Sequence, residues 1–117
     1  MNRATKGAAV YLRFLQLSQA IRGLPTLPPL DPLEERILSW IARTAQQGAR
    51  LSVRDMLSKD EFGAPATIHS RLKSMRTKGW ITLADTEDAR RKQIELTQSA
   101  LEHFALLSRV MVKAARG

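Results

Sequence analysis

The chain has no cysteine, which excludes disulfides and thiolate metal sites and fits a reducing compartment. Aromatic residues are scarce, with three Phe, two Trp and one Tyr in 117 residues, too few to line an aromatic pocket as well as a core. No apolar run is long enough to cross a bilayer. The basic start MNRATKGAAVYLRFLQLSQAIRG superficially suggests a secretory signal, but Arg13 and Gln16 interrupt its apolar middle and no small-residue cleavage pattern follows. A nucleophile motif, a phosphate-binding glycine loop and paired acids are also missing. His69 and His103 fall on different expected helices with no acid or thiol at metal spacing. Glu34 and Glu35 suit a helix dipole better than acid–base chemistry. The expectation is one cytoplasmic domain over residues 1–117, not an enzyme, with no metal and no cofactor.

Positive charge is what the chain has in excess, with a net +8. Residues 1–49 carry six basic and three acidic groups, residues 50–92 ten and six, and residues 93–117 three and two. Cut this way, the excess is mild everywhere and sharp only between Pro65 and Lys78, where Arg71, Lys73, Arg76 and Lys78 meet no acid.

The apolar spacing predicts a first helix over 5–22, with Val10, Phe14, Leu17 and Ile21 on one stripe widened by Ala8, Leu12 and Leu15. GLPTLPPLDP follows as a non-helical connector. Asp31-Pro32-Leu33-Glu34 opens a second helix, which buries Leu33, Ile37, Trp40 and Ile41 and ends before Gly48. Leu51 suits a very short strand. Ser52-Val53-Arg54-Asp55 resembles a capping box opening a short helix that buries Val53, Met56 and Leu57. SKDEFGA is a loop or turn. Another helix starts near Pro65, buries Ile68, Leu72 and Met75, and is closed by Gly79. Two strands follow, with Ile81 and Leu83 and then Ile94 and Leu96 facing inward. Thr97 caps a last helix carrying Ala100, Phe104, Leu107 and Met111 on one face, with Leu101, Val110 and Ala114 beside it.

Two short helices, the second more basic, followed by a charged hairpin give a helix-turn-helix with a wing. With Ile68, Leu72 and Met75 inward, Ala66, Thr67, His69, Ser70 and Lys73 face outward. Small polar residues at the start of such a helix let its backbone enter a major groove, where Thr67 and His69 can meet base edges. Lys73 and Arg76 suit phosphates or the groove edge. Ser52 and Arg54 on the preceding helix, and Arg90, Arg91 and Lys92 at the hairpin, complete the candidate DNA-binding set. Asp88 can pair with Arg90, leaving an arginine to enter a minor groove. A merely solvated basic face is the bland alternative for the helix, and a self-neutralised loop for the turn.

These residues carry a resemblance to the MarR family of bacterial winged-helix regulators. It rests on Ser52-Val53-Arg54-Asp55-Met56-Leu57, on Thr67-Ile68-His69-Ser70-Arg71-Leu72-Lys73-Ser74-Met75 and on Lys78-Gly79-Trp80-Ile81. It continues through Asp85-Thr86-Glu87-Asp88-Ala89-Arg90 and Ile94-Glu95-Leu96-Thr97. Asp85, Asp88 and Arg90 match the family's wing pattern, and the likeness spans Leu33 to Phe104. The fold it implies is mainly α with a small β-hairpin wing. The winged helix-turn-helix core covers 31–97, between an N-terminal dimerisation helix (5–22) and a C-terminal one (98–115).

The function the resemblance implies is sequence-specific binding to an inverted repeat in double-stranded DNA, as a homodimer and usually a repressor. Thr67, His69, Ser70 and Lys73 would reach bases or phosphates, and Arg90 the minor groove. Ser70 departs from the Arg or Lys common there, SKDEFGAPA is unusual between the two helices, and the family usually continues into a further helix. Val10, Phe14, Leu17, Ile21, Phe104, Leu107 and Met111 are the expected dimer interface, against the alternative of terminal helices folded on their own subunit. A small-molecule effector has no support in the residues. A protein-contact module and a sequence-independent architectural protein stand as the competing functions.

Overall fold

A computed structural model describes residues 7–21, 27–85 and 92–116, with the side chains at 20, 21 and 85 outside the description. Helices dominate, joined by one two-stranded antiparallel hairpin. In chain order they are α1 (Ala9–Ile21), α2 (Pro32–Gln46), α3 (Val53–Leu57), a 3₁₀ turn (Asp60–Phe62), α4 (Pro65–Thr77), β1 (Ile81–Asp85), β2 (Lys92–Leu96) and α5 (Gln98–Arg116). The expected first-helix ends at Thr5 and Arg22 lie outside the described residues. No helix among the described residues is long and apolar enough to cross a membrane.

Local chemistry explains the boundaries. Asp31 accepts from the Glu34 backbone while the Glu34 carboxylate accepts from the Asp31 N–H, so two orphan donors of α2 are satisfied reciprocally. Ser52 and Asp55 do the same for α3. The Thr97 hydroxyl accepts from the Ala100 N–H to start α5 and donates to the Gly79 carbonyl at 2.6 Å, tying that helix to the end of α4. Gly79 sits at φ +87°, and a Cβ there would lie 3.3 Å from Leu27.

The described chain groups into two compact units. Residues 27–100 form a central unit; residues up to 26 and from 101 onward form a terminal unit containing α1 and most of α5. In the central unit α2, α3 and β1 pack around α4, and β2 rests on α2 and α3. Strand register runs from Ile81 opposite Leu96 to Asp85 opposite Lys92. Leu51 supplies no full strand: its carbonyl accepts from the Ile94 N–H at 2.8 Å, and Ser52 bridges Gln93. Ile37, Ile41, Met56, Ile68, Leu72, Met75, Trp80, Ile81 and Ile94 make the core.

Several burial expectations are corrected. On α2 the fully buried set includes Glu34 and Leu38, while Leu33 and Trp40 are half-buried. On α3 only Met56 is fully buried, because a five-residue helix turns a single position straight into the core. The expected loop SKDEFGA contains the 3₁₀ turn, which inserts Phe62 beneath Trp40 with ring centroids 6.4 Å apart. α5 needs no such correction: within one chain Ala100, Val110 and Ala114 are buried and Leu101 and Met111 are exposed. Its apolar arc is wider than the face it covers, and periodicity locates the arc but not which edge is buried.

Regrouping charge by unit also changes its distribution. The 26 N-terminal residues and the segment from Leu101 hold seven basic groups and one acid, Glu102, for a net +6. The central unit holds twelve basic and ten acidic groups. The larger share of the excess, +6 against +2, therefore belongs to the terminal segments, while residues 65–78 remain a dense cationic stretch.

Candidate nucleic-acid interface

The candidate surface is built on α4. Pro65 occupies its first turn, and Ala64 at the N-cap provides no side-chain acceptor. No acid lies in that turn. α2, α3 and α5 are each capped by a side chain from Asp31, Ser52 or Thr97. The start of α4 thus keeps its positive dipole end, but Pro65 has no N–H and the Thr67 and Ile68 N–H groups both donate to the Ala64 carbonyl, so few backbone donors there are open to an outside acceptor.

Burial fixes the helix rotation. Ile68, Leu72 and Met75 are essentially inaccessible, and Ala66, Thr67, His69, Ser70, Lys73 and Arg76 are all exposed. The outward face therefore begins small and polar and ends basic, as the sequence pattern anticipates.

The three cations of this helix and Lys78 at its C-cap divide into two kinds. Arg71 Nε lies 3.1 Å from Asp31 Oδ2, and Lys78 Nζ lies 2.9 Å from Glu34 Oε1. These two fasten α4 to the start of α2. Lys73 and Arg76 point outward instead, and among the described residues neither is in an ion pair within 4.0 Å. The effective cationic face at α4 is thus half what a count of these four basic residues suggests.

Glu34 is the electrostatic anchor. Only 1% of it is accessible. Burial raises its pKa, but hydrogen bonds from the Asp31 backbone, Lys78 and Ser74, together with the Lys78 charge, outweigh that and hold it below 4.5. Nothing in the sequence links Glu34 to Lys78, which are 44 residues apart. The Trp80 indole N–H donates to the Pro28 carbonyl at 2.8 Å, 52 residues away, and so fixes the connector against the foot of β1.

The other expected contacts fare differently. Arg54 on α3 is exposed. Ser52 is half-buried, and its hydroxyl oxygen caps α3. Lys92 is exposed at the start of β2 and Asp85 ends β1, but the intervening positions, including Arg90 and Arg91, lie outside the described residues. His103 is half-buried in α5, and burial holds its imidazole below the usual 6.5. Of the expected interface residues, Val10 and Met111 are 53% and 57% exposed, while Phe14, Leu17, Phe104 and Leu107 are half-buried. The Ile21 side chain lies outside the description. No family model and no curated protein matches the chain.

Proposed function

We propose that this chain is a winged-helix regulator of the MarR kind that binds specific double-stranded DNA as a homodimer, most simply as a repressor. The observation that carries the reading is the outward face of α4, where Ala66, Thr67, His69, Ser70, Lys73 and Arg76 stand exposed opposite a completely buried apolar stripe. The first four are small or polar enough for close approach to base edges, and the last two meet phosphates. The start of α4, free of acid and of a side-chain cap, adds a positive dipole end for a further phosphate. The order α3, turn, α4, β1, β2 is compatible with a wing beside that helix, and in this reading Arg90 is the minor-groove residue.

The terminal unit supports the homodimer in this reading. Among the described residues Val10, Tyr11, Leu12, Leu101 and Met111 are exposed large apolar residues of this unit, and covering the half of each still open to water is worth about 1 kcal/mol. Two copies related by a twofold axis would present their α4 helices about 34 Å apart, one helical turn of DNA.

Selection of random duplexes by the purified protein at two salt concentrations tests this reading. The expected result is an enriched inverted repeat with half-sites about one turn apart. Retention of duplex without enrichment would replace it with architectural binding. No retention at low salt would leave a protein-contact module.

A further inference from the structure

Between α1 and the second half of α5, within the terminal unit, lies a crevice of about 570 Å³ lined by Arg13, Ser108, Arg109, Val112, Lys113 and Arg116. Four of these six side chains are cationic. Glu102 is the only acid in the sequence of the whole unit, and it lies about two helical turns before Arg109. Among the described residues none of the four cations has an ion-pair partner within 4.0 Å. Lys113 and Arg116 sit in the last turn of α5, where they complement the helix dipole. That explanation reaches neither Arg109, a turn earlier, nor Arg13, on a different helix.

We infer that this crevice is a binding site for a small anion bearing two or more negative charges on an apolar or planar body, the chemistry of a nucleoside polyphosphate. Arg109, Lys113 and Arg116 follow one another at four- and three-residue steps, so they line one face of α5 over about 10 Å. A single carboxylate would engage one end of that row and leave the remaining like charges crowded. A chain of phosphates extends along it, and guanidinium forks bind phosphate oxygens in pairs. Arg13 closes the site from α1. Val112 and the methylene stems of the Arg and Lys side chains supply apolar wall for the body of the ligand. The volume falls in the range of small-molecule sites, about 300–1,000 Å³. The site is an open groove whose six lining residues are all exposed, and its row of cations on α5 ends within about 10 Å, the reach of a short phosphate chain.

Isothermal titration of the full chain with metal-free ADP, adenosine and pyrophosphate tests the assignment. ADP is expected to bind once per chain, at least about tenfold more tightly than adenosine or pyrophosphate, because charge and body both contribute. In Arg109→Gln/Lys113→Gln its affinity should fall by about tenfold or more, with an unchanged circular dichroism spectrum. The change Arg50→Ala, at an exposed cation of the central unit, should leave it intact. Pyrophosphate binding as well as ADP would overturn the requirement for a body, and unchanged affinity in the double variant would overturn the location. If a random duplex bound this chain, lost affinity in the double variant and displaced all ADP, the surface would belong to nucleic acid instead.

Discussion

The two compact units solve opposite problems with the same kinds of residue. In the central unit nearly every large apolar side chain is covered, and cations next to the core are matched: Arg71 with Asp31, Lys78 with Glu34. In the terminal unit Val110 and Ala114 are buried, while Val10, Tyr11, Leu12, Leu101, Met111 and Val112 are exposed. The sequence of that unit holds seven basic groups and a single acid. The central unit is therefore complete as a folded object. The terminal unit is incomplete in two respects, apolar area and charge, and one partner does not meet both. A second copy covers apolar surface but brings another net +6, so association through these helices is opposed by like charge unless anions are present.

The largest expected effect breaks the completeness of the central unit. Lys78→Met leaves the Glu34 carboxylate buried without its counter-ion and should cost about 3 kcal/mol, measured by urea unfolding at neutral pH. The cost should depend on pH. In the parent chain Glu34 titrates below its ordinary 4.5, so its contribution is complete above that value and fades as pH falls through the lower folded value. Losing Lys78 moves the carboxyl back up. The gap between variant and parent should therefore be widest at neutral pH and narrow on acidification below 4.5. A gap that is constant with pH would show that Glu34 is not its source.

Next in size is the terminal unit's missing apolar cover. Met111→Glu places a charge on a residue that is 57% exposed in one chain, so the secondary structure of the isolated chain should be unaffected. If a second copy covers this helix, the dimer should weaken by about 2 kcal/mol or more for each chain, read by sedimentation equilibrium. Equal association of both proteins would remove Met111 from the interface. A smaller but purely local effect is expected at Gly79. A side chain there is held at φ +87°, at about 1–2 kcal/mol for any L residue and more for a β-branched one. Gly79→Val should lower the urea midpoint accordingly, and an unchanged midpoint would refute the strained geometry.

How far sequence reached follows the same division. Signals confined to a few residues were legible: the Asp31–Glu34 and Ser52–Asp55 boxes, Gly48 and Gly79 as stops, and the Ile68, Leu72 and Met75 stripe. They depend on backbone donors and helical period, which a short window contains. The outward set on α4 follows from that stripe and was legible with it. The Glu34–Lys78 pair and the Trp80–Pro28 hydrogen bond were not, because both partners are ordinary residues brought together only by packing. Phe62 was hidden inside a polar segment that gave no periodicity. The cationic crevice was missed for another reason: α1 and α5 lie at opposite ends of the chain, and linear charge windows mixed each with central residues that dilute it.

The smallest effect separates anchoring cations from those free to meet DNA. The side chains of Arg71 and Asp31 remain 41% and 35% exposed, and an ion pair so open to water contributes at most about 1 kcal/mol. Arg71→Ala also leaves the α2 cap in place, since Glu34 donates to Asp31 Oδ1 while Arg71 meets Oδ2. Its cost should be under about 1 kcal/mol and should shrink further in high salt as the pair is screened. On DNA the prediction is a contrast with Lys73, which is exposed and faces outward. Lys73→Ala should reduce the slope of log affinity against log salt by about one unit, with no change in stability, whereas Arg71→Ala should leave the slope unchanged. Equal slopes for the two variants would mean that an anchored guanidinium still reaches phosphate, and the division of α4 into fastening and reading cations would fall.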